Sequence, residues 1–142
     1  MSASQNELRQ LFLMLKNIDR RVTHSFEKRT GVSVTRYEIL FALAENGHMI
    51  QTTLQQMLEI DQAAVTRHLK NLEEQNLVTR RRNELNHREV LVAISEEGRQ
   101  LLDSCSMDKE QFMEALYQGF TRDDLQQLAR LMNHLNKNAE AL

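Results

Sequence analysis

Residues 50–94 hold two short helical patterns followed at once by two strand patterns, an order that few folds accommodate. Leu54, Met57 and Leu58 recur at helical spacing and predict one apolar face on the first helix. Asp61 then offers a short carboxylate that suits the N-cap of the second helix. Two short helices separated by so tight a turn predict a helix-turn-helix.

The second predicted helix, from Asp61 to about Asn76, has two faces of different character. Val65, Leu69 and Leu72 lie at i, i+4 and i+7, so we expect them to face inward together. Asn76 can adopt the left-handed conformation that ends a helix. The helix is therefore expected to be buried on one side only.

The opposite face of this helix is small, polar and basic. It carries Gln62, Ala63, Thr66, Arg67 and Lys70. Such a face suits the major groove, where base edges and the thymine methyl group are read. Arg67 is the candidate for a bidentate contact to guanine, while Gln62 and Thr66 could read base edges or phosphate. The alternative is a solvated helix face without a partner.

A basic hairpin is predicted after the second helix. One strand ends in three arginines at 80–82, a polar loop covers residues 83–88, and residues 90–94 return as a β-branched strand. Side chains alternate along a strand, so at most two of the arginines point one way. We expect some to contact phosphate and others to pair with Glu73 or Glu74. A helix-turn-helix with such a hairpin is a winged helix, whose tip reaches the DNA backbone or the adjacent minor groove.

Over nearly its whole length the chain resembles the MarR family of bacterial winged-helix regulators. The resemblance rests on LQQMLEIDQAAVTR at 54–67, on Leu77-Val78 with the basic hairpin, and on ISEEGR at 94–99. The family's usual small residue and turn glycine are replaced by Gln55 and Glu59. Its usual wing sequence Asp-x-Arg becomes Asn86-His87-Arg88, so the arginine that such proteins insert into the minor groove corresponds to Arg88.

The resemblance implies a mostly α-helical fold with a small β-hairpin wing (α+β class), in one winged-helix domain over residues 1–142. Residues 30–94 would form the DNA-binding winged helix-turn-helix, and residues 1–29 and 95–142 the helical dimerisation region. Such proteins bind double-stranded DNA as homodimers, most often as repressors, and respond to small phenolic or amphipathic effectors. The candidate lining of the effector cleft is Leu15, Ile18, Tyr37 and Leu40.

The predicted DNA contacts come from the second helix, the wing and the start of an earlier helix. They are Arg36, Asp61, Gln62, Ala63, Thr66, Arg67, Lys70, Arg80, Arg82, His87 and Arg88. His87 at the wing tip could donate to phosphate, more strongly when protonated. For Arg36, a plain surface arginine is the alternative.

Wide apolar stripes flank the winged helix. The stripe of the first helix, predicted over residues 5–28, consists of Leu8, Leu11, Phe12, Leu15, Ile18, Val22 and Phe26. The stripe of the last helix consists of Leu125, Leu128, Leu131, Met132 and Leu135. Stripes this wide usually close against a second copy, and a two-fold dimer would read an inverted repeat. The alternative is that these helices pack within one subunit.

Short polar side chains mark the predicted helix starts. Thr35, with Glu38 in a capping box, would begin the helix behind the helix-turn-helix. Ser95 would cap the helix after the wing, and Thr121 with Asp124 the last one.

Charge and composition fit a soluble regulator. The chain of 142 residues has a net charge of −2, but residues 61–88 hold six Lys or Arg against four acidic residues. The local field near phosphate matters more than the total. No apolar run approaches the ~20 residues of a membrane span. A single cysteine cannot form an internal disulfide, so we expect a reducing cytoplasm. The resemblance to bacterial regulators implies a bacterial cell and association with the nucleoid.

No catalytic motif appears, and we expect neither enzyme activity, nor a cofactor, nor a metal site. The five histidines are scattered, and only His24 with Glu27 has a spacing that could start a metal site. Cys105 lies on an inward face, where cysteine usually acts as a small hydrophobe. Two alternatives to the ligand-responsive repressor remain: a redox-sensing regulator that uses the Cys105 thiol, and a protein-interaction module without DNA affinity.

Overall fold

The computed structural model describes residues 2–142, which form helices and a small antiparallel sheet. The elements are α1 (Gln5–Thr30), α2 (Val34–Asn46), β1 (Met49–Ile50), α3 (Gln51–Leu58), α4 (Gln62–Glu74), β2 (Val78–Asn83), β3 (Asn86–Ile94), α5 (Glu96–Leu116) and α6 (Arg122–Glu140). The mostly helical fold with a β-hairpin wing is confirmed. The chain forms two compact units, one that ends at Lys109 and one from Glu110 to Leu142.

The start of α2 differs from the prediction. Ser33, not Thr35, is the N-cap, and its hydroxyl accepts the backbone N–H of Arg36 at 3.2 Å. Both residues can cap, but Ser33 has the extended backbone that a cap requires, which places Thr35 inside the first turn. The capping box that pairs Thr35 with Glu38 was therefore wrong, whereas the one between Thr121 and Asp124 on α6 is confirmed.

The helix-turn-helix is confirmed as α3 and α4. Asp61 caps α4 through its carboxylate, which accepts the N–H of Ala64 at 3.3 Å. Asn76 takes the predicted left-handed conformation, with φ 62°. The N–H of Asn76 donates to the carbonyl of Glu73, and that of Leu77 to the carbonyl of Leu72 at 2.9 Å. This paired pattern is a Schellman motif, which satisfies the last carbonyls of α4.

Glu59, which ends α3, also has a left-handed backbone, with φ 54°. A Cβ in this conformation costs roughly 1 kcal/mol, which glycine avoids. We therefore expect Glu59→Gly to raise the free energy of unfolding by about 0.5–1 kcal/mol, measured by urea denaturation. Glu59→Ala is the control, because it removes the carboxylate but keeps the strained Cβ. An equal gain in both variants would trace the effect to charge, against this account.

The sheet has the order β1-β3-β2, with both pairs antiparallel. β1 was not predicted, because two residues are too short for a strand pattern. The wing turn is also tighter than the predicted loop over residues 83–88. Asn83 pairs with Asn86, which leaves only Glu84 and Leu85 in the turn. Polar residues continue the strands here because both faces of the wing tip are open to solvent.

The core forms where α2, α3 and α4 pack against the sheet. It contains Ile39, Leu40, Ala42, Leu43, Met49, Leu54, Val65, Leu69, Leu72, Val78 and Val92. The inward face predicted for α4 is therefore confirmed. On α3 the prediction was partly wrong: Leu54 is buried and Leu58 packs against the core, but Met57 is half exposed.

Ser95 joins the end of α4, the base of the wing and the start of α5. Its hydroxyl accepts the N–H of Gly98 at 3.0 Å, which confirms it as the cap of α5, and donates to the carbonyl of Asn76 at 2.6 Å. Its backbone N–H donates to the carbonyl of Leu77 at 3.0 Å. The end of α4 and the start of α5 are thus held by one side chain.

The apolar stripes of α1 and α6 are largely open to solvent in the single chain. On α1 the exposed members are Leu8, Leu11, Phe12, Leu15 and Ile18. On α6 they are Leu125, Leu131, Met132 and Leu135. Within residues 2–142, none of the helices combines the length and apolar character that a bilayer span requires.

Candidate DNA-binding site

The candidate recognition surface is the outer face of α4. Gln62, Ala63, Thr66, Arg67 and Lys70 are all exposed there, while the other side of the same helix lies in the core. The core thus anchors the buried side of α4. Its outer side presents hydrogen-bond donors and the positive charges of Arg67 and Lys70 to solvent. This is the arrangement that a helix needs to enter a major groove.

Thr66 is oriented by two hydrogen bonds. Its hydroxyl donates to the carbonyl of Gln62 at 2.9 Å and accepts from Nε2 of Gln51 at 3.3 Å. The hydroxyl proton is therefore already used, and Thr66 offers an incoming ligand an acceptor or a methyl group rather than a donor. Sequence reasoning missed Gln51, because its contact crosses the turn between α3 and α4 and leaves no pattern in the sequence.

Two of the predicted DNA-contacting arginines are bonded to side chains at the end of α4. Nη2 of Arg80 on β2 lies 3.1 Å from Oε1 of Glu73. This is one of the two salt bridges predicted for the arginines of this strand. Nη2 of Arg36 donates to Oε1 of Gln75, at the end of α4. Both arginines therefore hold the C-terminal end of α4 in place. Gln75 was also absent from the sequence-based set.

The wing tip is braced by its own side chains. Nη1 of Arg82 donates to the carbonyl of His87 at 2.9 Å. Oδ1 of Asn86 accepts the N–H of Arg88 at 3.2 Å, so the neutral amide supplies an acceptor where the family's usual residue is aspartate. The side chains of His87 and Arg88 stay exposed.

His68 lies on α4 next to the recognition face. Burial, and then the positive charges of Arg67 and Arg36, hold the pKa of His68 below its ordinary value of 6.5. The imidazole is therefore neutral at pH 7. His68 could not be singled out from the sequence, because the shift in its pKa depends on how α2 and α4 pack.

Stability should fall in mild acid through His68. In the unfolded chain the His68 imidazole takes up a proton near pH 6.5, but in the folded chain it does so only at a lower pH. Above pH 6.5, neutral His68 therefore makes its full contribution to the free energy of unfolding. This contribution is lost as the pH falls through the lowered pKa. We expect His68→Gln to reduce the drop in unfolding free energy between pH 7.5 and 5, measured by urea denaturation. Arg67→Gln should reduce it only in part, because it leaves the burial unchanged; an unaltered drop in both would contradict this assignment.

The four candidate effector residues occupy different environments. Leu15 and Ile18 are exposed on α1. Tyr37 is half buried, edge-on to Phe26 at 5.3 Å and stacked on Phe41 at 5.9 Å between ring centroids. Leu40 lies wholly inside the core. An effector could reach the first three from outside, but not Leu40 without a shift of α2.

Cys105 is buried, and its Sγ lies 3.7 Å from the carbonyl oxygen of Thr30. An oxidant reaches such a thiol only if α5 moves, which disfavours rapid sensing. Among residues 2–142, no three His, Cys, Asp or Glu side chains cluster in a way that could hold a metal ion.

Comparisons with known proteins agree with this geometry. A model of the MarR family matches residues 32–90. The HTH-type transcriptional regulator YdgJ of Bacillus subtilis is 34% identical over 140 residues, which cover 96% of this chain and 85% of YdgJ. A cysteine-to-serine mutant of MarR from E. coli, complexed with operator DNA, is similar with a TM-score of 0.84 at 20% identity, over 94% of this chain and 99% of that one.

A second solved structure is also similar in fold. BpsR of Bordetella bronchiseptica, whose DNA binding is regulated by 6-hydroxynicotinic acid, has a TM-score of 0.79 at 20% identity, over 89% of this chain and 98% of BpsR. At these identities the two structures show a shared fold.

Proposed function

Because the chain belongs to the MarR family of DNA-binding transcriptional regulators, which are not enzymes, we propose that it is a homodimeric repressor released from DNA by a small effector. The observation that carries this proposal is the outer face of α4. It is exposed along its length on a helix whose other side is fully buried. A rigid, basic, solvent-facing helix beside a basic wing has the features of a reading surface for duplex DNA.

In the proposed complex, α4 enters the major groove and the wing follows the adjacent minor groove. Arg67 makes the main base contact, and Gln62, Ala63, Thr66 and Lys70 line the same groove. Arg88 and His87 contact the minor groove or its phosphates, with Arg82 behind them. Arg36 and Arg80 reach phosphate only if they exchange their present partners on α4. Asp61 acts through the cap that positions the first turn of the helix.

We infer that a second copy covers the exposed stripes of α1 and α6. Contiguous apolar surface of this kind is rarely left open on a soluble monomer. In this arrangement residues 30–94 bind DNA and the terminal helices form the dimer. Two recognition helices about 34 Å apart then read an inverted repeat, on the nucleoid of a bacterial cell.

The effector is proposed to be a small aromatic or amphipathic molecule. BpsR responds to a hydroxylated aromatic acid, and Tyr37 with Leu15 and Ile18 offers this chain accessible aromatic and apolar surface. Binding would favour a spacing of the two recognition helices that no longer matches successive grooves. That is a population shift, driven only by the difference in effector affinity between the two spacings.

The test is selection of bound duplexes from a random-sequence pool, followed by sedimentation of the free protein and of the complex. The proposal expects an enriched inverted repeat, a dimer in solution, and affinity that falls steeply with added salt. Enrichment of a single half-site by a monomer would overturn the dimer. A protein that enriches no sequence and shows no salt-dependent binding would be the interaction module instead.

A further inference from the structure

Among residues 2–142, the most exposed large apolar side chain outside the C-terminus lies at the tip of the wing. Leu85, the second residue of the turn between β2 and β3, keeps 96% of its surface open to solvent. The other exposed large apolar residues, apart from the C-terminal Leu142, retain between 36% and 68%. Those that lie on α1 and α6 form continuous stripes, whereas Leu85 stands alone among polar neighbours.

Turn geometry does not account for a leucine at this position. Two-residue hairpin turns favour Asn, Asp and Gly, which tolerate positive φ. In residues 2–142 the only non-glycine positions with positive φ are Glu59 and Asn76, so Leu85 has an ordinary backbone that any polar residue could adopt. Neither backbone conformation nor packing within the chain therefore explains the side chain.

The tip also holds Leu85 in a fixed position. Its backbone N–H donates to Oδ1 of Asn83 at 3.1 Å, while Nδ2 of the same asparagine donates to Oε1 of Glu89 at 3.0 Å. With the Arg82 and Asn86 bonds described above, the hairpin is braced on both sides of the turn. These hydrogen bonds fix the backbone that carries Leu85. Little further conformational entropy is therefore lost when its side chain packs against a partner.

The charges around the tip indicate the kind of partner. Arg81, Arg82 and Arg88 are exposed on the hairpin, and they outnumber Glu84 in the turn and the half-buried Glu89 beside it. Residues 81–89 thus hold three arginines against two glutamates, a formal charge of +1, with His87 exposed among them. A positively charged hairpin with one apolar side chain at its tip fits a minor groove, which has phosphates along its rims and sugar rings as walls. Apolar side chains of this kind are used as wedges by proteins that bind in the minor groove.

We propose that Leu85 enters the DNA minor groove as an apolar wedge, packed against the sugar walls beside Arg88. This inference rests on the proposed DNA-binding function and adds to it a non-electrostatic contact. Arginine contacts at the rim release counterions, whereas a buried leucine does not. The two contributions can therefore be separated by their dependence on salt.

The first test compares variants on the tightest duplex recovered from a random-sequence pool, by fluorescence anisotropy across a salt series. We expect Leu85→Ala to weaken binding about tenfold for each wing at every salt concentration, with an unchanged salt slope. Leu85→Asn, which is similar in shape but polar, should lose as much, and Leu85→Met should retain most of the affinity. The control Arg88→Ala should instead lower the slope by about one for each wing.

The second test asks where the contact lies. Guanine–cytosine pairs under the wing are exchanged for inosine–cytosine, which removes an amino group from the minor groove and leaves the major-groove edge unchanged. The wild type should bind the exchanged duplex more tightly, and Leu85→Ala should lose this preference. The melting temperature should not change in Leu85→Ala, because the residue makes no packing contact to lose.

The outcomes separate this inference from the function on which it rests. A wild type that enriches no duplex overturns both. A wild type that binds, with Leu85→Ala of equal affinity or with the inosine preference intact, overturns the wedge alone. A loss of affinity that disappears at high salt would also overturn it, because the contact would then be electrostatic.

Discussion

Replacement of Arg67 by alanine should weaken binding to the selected duplex by at least about 30-fold. A bidentate arginine–guanine contact is worth roughly 1–3 kcal/mol, and a dimer loses two of them. Arg67 is exposed on the outer face of α4, and within residues 2–142 its guanidinium forms no hydrogen bond or ion pair that would hold it elsewhere. Competition anisotropy with the selected duplex, and with a scrambled one, measures both affinity and discrimination.

Two further variants identify the source of this loss. Arg67→Lys keeps the charge, so it should restore affinity for the scrambled duplex but not the preference for the selected one. Arg99→Ala removes an exposed positive charge from α5, which is not part of the proposed reading surface, and should leave both affinities within about twofold. Arg67→Ala with wild-type discrimination would show that α4 does not read bases through this residue.

Replacement of Gly98 by alanine should lower the free energy of unfolding by about 3 kcal/mol. An added Cβ would lie 2.3 Å from the carbonyl oxygen of Leu77 and 2.7 Å from Cγ1 of Ile94. The first of these atoms belongs to the backbone, so it cannot rotate away. Urea denaturation and thermal melting measure the loss, which we expect to lower the melting temperature by roughly 10 °C.

The sign of this result is informative. Alanine is favoured over glycine inside a helix by about 1 kcal/mol, so a site with free space would be stabilised. Gln100→Ala, on an exposed position of the same helix, is the control and should change stability by less than about 0.5 kcal/mol. A Gly98→Ala protein as stable as wild type would mean that α5 does not pack this closely on the base of the wing.

Features with local causes were predictable from the sequence. The spacing of Val65, Leu69 and Leu72 sets which side of α4 is buried, and Asp61 and Asn76 mark the two ends of that helix. Each of these follows from interactions within a few residues of the chain. The winged helix and its candidate reading face could therefore be derived before any coordinates.

Features that depend on distant residues were not predictable. The roles of Arg36 and Arg80 at the end of α4 depend on how α2 and β2 pack against it. The same holds for Gln51 beside Thr66, and for Leu40, whose helical spacing does not distinguish the core from a cleft wall. The tight wing turn was missed because polarity normally marks a loop, but a solvated hairpin is polar throughout.

The shared hydroxyl of Ser95 has a mechanical consequence. It is bonded at once to the last turn beyond α4 and to the first turn of α5, so rotation of the start of α5 moves the end of α4 with it. In the proposed complex, the orientation of α4 in the groove is therefore set partly by α5, which contacts no base pair. There, a small molecule that tilts α5 would disengage α4 from the duplex without competing for any part of the DNA surface.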